Sequence, residues 1–176
     1  MTPKKERGYI QVYTGDGKGK TTAAFGLSLR AAGAGKKVFF AQFVKGQVYS
    51  EINTVERCLP AITVRQYGLA CFIVNAPTVQ DMDMARRGFT EVSEIIAAGE
   101  YDIVVLDEAC IAIHYNLFTV EELIRVLANK PFATEIVITG RYAPVELVEF
   151  ADLVTDMQEV KHYYTRGVAA RPGIEF

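Results

Sequence analysis

The sequence of 176 residues contains no tryptophan, only two histidines and only three cysteines. The widely spaced Cys58, Cys71 and Cys110 form no Cys-x-x-Cys pair, which argues against a zinc ribbon and against a disulfide framework. His114 and His162 each lack a second ligand at metal spacing, so we interpret both as structural or surface residues. Unpaired cysteines suit a reducing compartment, and we therefore expect a cytoplasmic protein.

Long apolar runs and a strong charge bias are also missing. No apolar run approaches the roughly 20 residues needed to span a bilayer, and no apolar segment follows the charged start MTPKKERG. We therefore expect neither a membrane partner nor a signal peptide. The net charge of −2 gives no support for a nucleic-acid partner.

What the sequence does contain is an alternation of short β-branched runs with segments of helical period. This alternation predicts an α/β fold with a mostly parallel sheet. The predicted strands lie in GYIQVYT, KVFFAQFV, AITVRQYG, YDIVVLDE and TEIVITGR, with one or two more in ADLVTDMQEVKHYY. A helix is predicted from near Lys20 to about Gly33, and capping boxes predict helices after Thr78 and Thr119, the first of them ending at Gly99.

A glycine-rich loop, TGDGKGKTT at residues 14–22, follows the first predicted strand and opens the first helix. In that context backbone N–H groups converge on one concavity and the helix N-terminus adds positive charge, so the loop is suited to hold phosphate. Lys20 supplies a point charge, and the hydroxyl of Thr21 is suited to a phosphate-bound Mg²⁺. Thr14 stands where the usual pattern has its first glycine, so Gly15 comes one place late. A glycine-rich turn without a ligand is the alternative.

Charged residues end three of the predicted strands. Asp107 and Glu108 end an apolar strand, where an acid beside a phosphate loop reaches Mg²⁺ directly or through water. Glu108 is alternatively a base that activates water, which would indicate an ATP hydrolase. Lys45 and Arg141 end two other strands at the same edge, and solvated charge is the competing interpretation for both.

The apolar stretch YGLACFIVNAP follows the most polar of the predicted strands. It forms either a hydrophobic wall for a large flat ligand or a part of the core. Periodicity does not distinguish the two.

The strings TGDGKGKTTAAFG, AQFVKG, GEYDIVVLDE, TGRYAPVELVEFADLVTDMQEVKH and GVAARPGIEF together resemble the P-loop type of ATP:corrinoid adenosyltransferase. The resemblance runs from about Gly8 to Phe176. It implies a homodimer with a RecA-like P-loop fold, helices on both faces of the sheet, a flexible tail at residues 1–7 and one nucleotide-binding domain at residues 8–176. It also implies transfer of the 5′-deoxyadenosyl group of ATP to the cobalt of a reduced corrinoid, cob(I)alamin or cobinamide. The nucleotide lies reversed along the loop in this family, and triphosphate leaves intact.

The resemblance also implies roles for individual residues. Lys20 and Glu108 are expected to be catalytic, and Gly68 and Phe72 to line the corrinoid pocket. The expected ligands of Mg²⁺ or Mn²⁺ are Thr21, Asp107 and Glu108. The expected ATP and triphosphate site comprises Thr14, Gly15, Asp16, Gly17, Lys18, Gly19, Lys20, Thr21, Thr22, Lys45 and Arg141. Some family members carry a longer segment before the position of Gly8 and a tryptophan in the stretch corresponding to GLACFI.

The chemistry of cobalt(I) agrees with these residues. Cobalt(I) is a very strong nucleophile, so no catalytic histidine or cysteine is required. The protein must align cobalt with C5′ and stabilise charge on the leaving triphosphate. A separate reductant of flavoprotein type is expected to supply the electron.

Three other functions fit a phosphate loop, and one of them is a non-catalytic nucleotide-sensing module, which would bind ATP without turnover of any corrinoid. A kinase of a nucleoside or small molecule uses the same scaffold, but the thymidine type adds a zinc ribbon that these cysteines do not provide. A RecA-like ATPase that acts on nucleic acid would present a basic face, which the balanced charge does not favour.

Overall fold

The computed structural model describes residues 6–47, 49–69 and 76–176. Within these residues six strands form one sheet in the order β3-β2-β4-β5-β1-β6. The strands are β1 (Ile10–Thr14), β2 (Val38–Phe43), β3 (Ile62–Tyr67), β4 (Ile103–Asp107), β5 (Glu135–Thr139) and β6 (Leu153–Asp156). Every neighbouring pair is parallel. The predicted α/β fold is confirmed, and each predicted strand segment contains one of these strands.

The helices connect successive strands. They are α1 (Lys20–Gly33), α2 (Ser50–Cys58), α3 (Val79–Ala98), α4 (Ala109–His114), α5 (Val120–Ala128) and α6 (Val145–Phe150), followed by a 3₁₀ turn at Tyr163–Arg166. Thr78 and Thr119 form the predicted capping boxes with the acids three residues later, and Gly99 ends α3 at a φ of 65°. The sequence did not predict α2 and α4. Neither has a side-chain cap, and α2 buries only Ile52 and Val55.

Helices cover both faces of the sheet, as the resemblance implied. Side chains of β2 alternate, so Phe39 and Phe43 point to one face and Phe40 to the other. Buried side chains of α3, α4, α5 and α6 pack on the first face. Those of α1 and α2 pack on the second. The strands are apolar on both sides because both faces are covered.

None of the helices in the described residues is long and apolar enough to cross a membrane. Of the predicted N-terminal tail, residues 1–5 lie outside the described residues. Arg7 is described, and its guanidinium lies 3.4 Å from the carboxylate of Asp152.

The sheet brings the functional segments to one edge. Parallel strands all end on the same side, so the segments after β1, β2, β4, β5 and β6 meet there. The loop after β1 lies directly on the segment that follows β6, and the N–H of Gly17 donates to the carbonyl of Met157 at 2.7 Å. A Cβ at Gly15 would lie 2.5 Å from the same carbonyl oxygen. Gly15 is therefore required because the loop packs closely on the segment after β6. A ligand that approaches the loop would be a second reason for glycine there.

Candidate active site

The glycine-rich loop curves around the ammonium group of Lys20, the first residue of α1. Lys20 is only 8% exposed, and its Nζ donates to the carbonyls of Gly15 at 2.5 Å and Gly17 at 2.7 Å. Burial lowers the pKa of Lys20, and the charge of Glu108 opposes this effect. A phosphate in the loop would supply the counter-charge that these neutral carbonyls do not.

The carboxylate of Asp107, the last residue of β4, is fully buried and fully hydrogen-bonded. Its Oδ1 accepts from the hydroxyls of Thr21 at 2.9 Å and Thr139 at 2.6 Å. Its Oδ2 accepts from Gln42 at 3.1 Å and from Lys45 at 2.8 Å. A carboxylate has about four acceptor sites, and all are used here, so Asp107 is held in one orientation by α1, two neighbouring strands and Lys45.

Glu108 adopts the left-handed conformation, at a φ of 59°, as the cap of α4. Its N–H donates to the hydroxyl of Thr139 at 3.0 Å, and its Oε1 lies 3.7 Å from Nζ of Lys45. Burial raises the pKa of Glu108, and the charge of Lys45 opposes that rise. A non-glycine residue in this conformation is strained by about 1–3 kcal/mol, which proteins retain mainly at functional sites.

The ammonium group of Lys45 lies close to all three predicted metal ligands. Its Nζ lies 2.8 Å from Oγ1 of Thr21 as well as from Asp107, with the Glu108 carboxylate at 3.7 Å. Burial alone would lower the pKa of Lys45, but the charges of Asp107 and Glu108 raise it above its usual value. Oxygen atoms of three side chains thus lie around the ammonium group of Lys45. Hard oxygen ligands of this kind also suit Mg²⁺.

Carboxylates alone do not complete a metal site here. The described residues contain no cluster of three or more His, Cys, Asp or Glu side chains. A magnesium ion at Thr21, Asp107 and Glu108 would therefore take its remaining ligands from water and from a bound phosphate.

A cavity of about 580 Å³ lies at the mouth of the loop. Its lining includes residues 16–22 of the loop together with Lys45, Glu108 and Arg141, so the structure brings most of the predicted site residues together. The charged lining residues are four basic ones (Lys18, Lys20, Lys45 and Arg141) and five acidic ones (Asp16, Glu51, Glu108, Glu159 and Glu175). The cavity therefore has no excess of positive charge with which to balance a triphosphate by itself.

Several lining residues were missed by the sequence analysis. They are Tyr49, Glu51, Glu159, Tyr164, Ile174 and Glu175, and His162 joins them although we had interpreted it as structural or surface. Most follow β6. The strings DMQEVKH and GIEF contain four of them, and the sequence analysis assigned no site role to any residue of either string. Their place beside the loop depends on β6 pairing with β1, which no local pattern indicates.

A second cavity of about 280 Å³ shares Lys45, Glu108 and Arg141 with the first. It is also lined by Val44 and Tyr142. Val44, Glu108 and Tyr142 all have positive φ, at 50°, 59° and 60°, and they follow β2, β4 and β5, which are neighbours in the sheet. Three residues with a strained backbone thus line or flank a cavity that shares Lys45, Glu108 and Arg141 with the larger one.

Thr14 and Gly68, two of the predicted site residues, do not line either cavity. Thr14 ends β1, where its hydroxyl accepts from the N–H of Ala143 at 3.4 Å. Gly68 packs on the turn after β2, where an added Cβ would collide with the backbone of Val44 and Lys45. Phe72 lies outside the described residues. The corrinoid role of Gly68 and Phe72 stays a prediction.

Comparison with solved structures shows the fold. The flagellar accessory protein FlaH from Methanocaldococcus jannaschii superposes with a TM-score of 0.60 over 86% of this chain and 71% of its own. The sequence identity is 13%, so this similarity concerns the fold alone.

Comparison of sequences shows the family. The corrinoid adenosyltransferase of Escherichia coli (strain K12) is 37% identical over 172 residues, which cover 97% of this chain and 87% of the relative. Corrinoid adenosyltransferase CobA of Salmonella typhimurium is 37% identical over 176 residues, covering 98% and 88%. The family model described as ATP:corrinoid adenosyltransferase BtuR/CobO/CobP matches residues 6–176. Because these matches extend over nearly the whole sequence, the chain belongs to this family of corrinoid adenosyltransferases.

Proposed function

We propose that this protein transfers the 5′-deoxyadenosyl group of ATP to the cobalt of a reduced corrinoid and releases triphosphate. The observation that carries the proposal is the convergence of the glycine loop and the Thr21–Asp107–Lys45 cluster on one cavity. The identity of the acceptor, a corrinoid, is inferred from family membership. Family membership also favours this reaction over a kinase or a nucleic-acid-dependent ATPase.

The triphosphate would lie at the start of α1, because the first N–H groups of a helix have no partner within the helix and attract anions. Lys20 would turn from the loop carbonyls to the phosphate oxygens, and Arg141 would contact the triphosphate from the end of β5. These contacts stabilise the charge that grows on triphosphate as the bond to C5′ breaks. Preorganised donors of this type are the expected source of catalysis.

Thr21, Asp107 and Glu108 would hold Mg²⁺, or Mn²⁺, against the triphosphate. The acidic excess in the cavity lining supports the need for such a cation. When bound, the ion would neutralise charge on the leaving group. Lys45 contacts the same three residues, so its ammonium would move from the acids to a phosphate oxygen.

The acceptor would approach from the second cavity. A nucleotide whose triphosphate fills the loop extends its adenosyl group past Glu108, the residue that the two cavities share with Lys45 and Arg141. Alignment of cobalt with C5′ then accounts for much of the rate, since the nucleophile requires no activating base. Because Glu108 lines both cavities, we infer that it contacts the reacting groups and is a catalytic residue.

Three further features of the proposal come from the resemblance and from composition. They are assembly as a homodimer, a separate electron donor of flavoprotein type, and a cytoplasmic location. Each is tested independently of the transfer reaction, by the mass in solution, by reduction assays with candidate flavoproteins, and by fractionation.

The deciding experiment supplies ATP, Mg²⁺ and chemically reduced cob(I)alamin and follows the absorption spectrum of adenosylcobalamin. Intact triphosphate should appear in step with the adenosylated product. Release of orthophosphate without that product would refute the proposal and indicate a hydrolase. Transfer of label from the γ-phosphate of ATP to an acceptor would indicate a kinase.

A further inference from the structure

The segment after β6 forms one side of the larger cavity. We call residues Tyr163–Phe176 the C-terminal strap. Tyr164, Ile174 and Glu175 of the strap line the cavity, across from Tyr49 and Glu51 at the start of α2. The strap is thus a wall of the site in which we place the triphosphate.

The strap is fastened to the loop through the ammonium group of Lys18. Nζ of Lys18 donates to Oε1 of Glu175 at 2.8 Å, to the carbonyl of Ile174 at 2.8 Å and to the hydroxyl of Tyr163 at 3.1 Å. An ammonium group has three N–H donors, so all of them are directed at the strap. The hydrogen bond from Lys18 to Glu175 is also the main reason that the pKa of Lys18 is raised.

Glu175 is the centre of the contacts within the strap. The hydroxyl of Tyr163 donates to Oε1, and the backbone N–H of Arg171 donates to Oε2 at 2.8 Å. The hydrogen bond from Lys18 holds the pKa of the Glu175 carboxyl well below its usual range. One carboxylate therefore joins the two ends of the strap to the loop.

The far end of the strap reaches α2. The hydroxyl of Ser50 donates to the carbonyl oxygen of Phe176 at 3.1 Å. The strap consequently spans the gap between the loop and the start of α2 and closes the cavity on that side.

We propose that the C-terminal strap retains the polyphosphate end of the nucleotide and that Lys18 is the positioning residue that fastens it through Glu175. The backbone N–H of Lys18 remains part of the anion-binding loop, whereas its side chain serves the strap and not the phosphates. This inference rests on the proposed function, because it requires triphosphate in the loop. It assigns a role to Tyr163, Arg171 and Glu175.

Lys18 either holds the strap through Glu175 or contacts the phosphates directly. Titration calorimetry with Mg·ATP and with inorganic tripolyphosphate distinguishes these two roles. If Lys18 acts through Glu175, then K18M and E175Q should each weaken binding of both ligands by about tenfold, the typical effect of losing one charge-assisted hydrogen bond. The double variant should lose no more than either single variant. A loss in K18M that far exceeds that in E175Q, or additive losses, would overturn the proposal and make Lys18 a phosphate ligand.

Limited proteolysis provides a second readout. Trypsin should cut after Arg166 faster in K18M and E175Q than in the wild type, and Mg·ATP should slow this cut in the wild type. The controls are K36M and E94Q, which remove the same charges from exposed positions after α1 and on α3. Equal cleavage in K18M, E175Q and the two controls would show that the contact between Lys18 and Glu175 does not hold the strap.

The outcome also distinguishes this inference from the proposed function. If the wild type binds neither Mg·ATP nor tripolyphosphate, the proposed function fails. If the wild type binds both and K18M and E175Q bind them equally well, only the role of the strap fails. In the transfer assay, K18M and E175Q should raise KM for ATP with little change in kcat.

Discussion

The ammonium group of Lys45 lies 2.8 Å from the fully buried carboxylate of Asp107. The same group contacts Thr21 at 2.8 Å, so a lysine from the turn after β2 occupies the centre of the oxygen cluster that we assign to a metal ion. A divalent cation bound to the same oxygen atoms would lie close to the ammonium group of Lys45, and the two positive charges would repel each other. Metal binding and the Lys45–Asp107 ion pair therefore exclude each other.

Replacement of Lys45 by Met should strengthen metal binding in the absence of nucleotide. We expect Mn²⁺, followed by electron paramagnetic resonance, to bind the variant at least tenfold more tightly than the wild type without ATP. The matched control is Lys36→Met, which removes an exposed lysine after α1. Equal Mn²⁺ affinity of wild type and K45M would contradict the exclusion.

The same variant should be less stable without metal. Removal of one partner leaves the Asp107 carboxylate buried without its counter-charge, a change that costs roughly 3 kcal/mol in buried pairs. Urea denaturation with and without Mg²⁺ measures this effect. Mg²⁺ should restore more stability to K45M than to the wild type, and an equal gain in both would count against a shared site.

Replacement of Lys20 by Ala should lower kcat for adenosyl transfer by about 100-fold to 1,000-fold, by analogy with loss of one preorganised oxyanion donor. The reason is that Lys20 is the basic residue that the loop itself surrounds. The coupled assay for adenosylcobalamin and triphosphate measures the change, with Lys36→Ala as the control. Near-normal turnover of K20A would contradict the loop as the triphosphate cradle.

Replacement of Gly15 by Ala should destabilise the protein more than replacement of Gly35. Both glycines have positive φ, at 90° and 78°, so both substitutions carry the strain of a left-handed residue, which costs about 1–2 kcal/mol. A Cβ at Gly15 would in addition collide with the carbonyl of Met157, whereas nothing lies within 4 Å of one at Gly35. Equal free energies of unfolding for G15A and G35A would show that the backbone at Met157 moves away from the added Cβ without loss of stability.

Cys110 should resist alkylation in the folded protein. It is fully buried against the sheet, and burial raises the pKa of its thiol to about 12. The unfolded thiol has a pKa of about 8.5, so the unfolded state loses its proton first and stability falls as the pH rises above that value. In a C71S background, iodoacetamide should label exposed Cys58 at pH 8 and reach Cys110 only on unfolding. Rapid native labelling of Cys110 would contradict its burial.

The features predicted correctly from the sequence are those whose partners are neighbours in the chain. The capping boxes at Thr78 and Thr119 need only an acid three residues on, and the strands need only a run of apolar residues. The glycine-rich turn between β1 and α1 was predictable for the same reason, whereas its binding of phosphate stays a prediction. The helix α4 was missed because its six residues, four of them buried, carry no capping signal and too few turns to show a period.

The order of the strands decided the rest. The α/β class, the glycine-rich loop and the acids at the end of β4 were predictable from the sequence, because propensity, capping and apolar runs are local. Only the tertiary structure placed β6 beside β1, which brings Glu175 to Lys18 across 157 positions of sequence. It alone placed Lys45 on Asp107. Contacts between distant residues depend on which strands pair, and in a parallel sheet that choice is made by packing over the whole core.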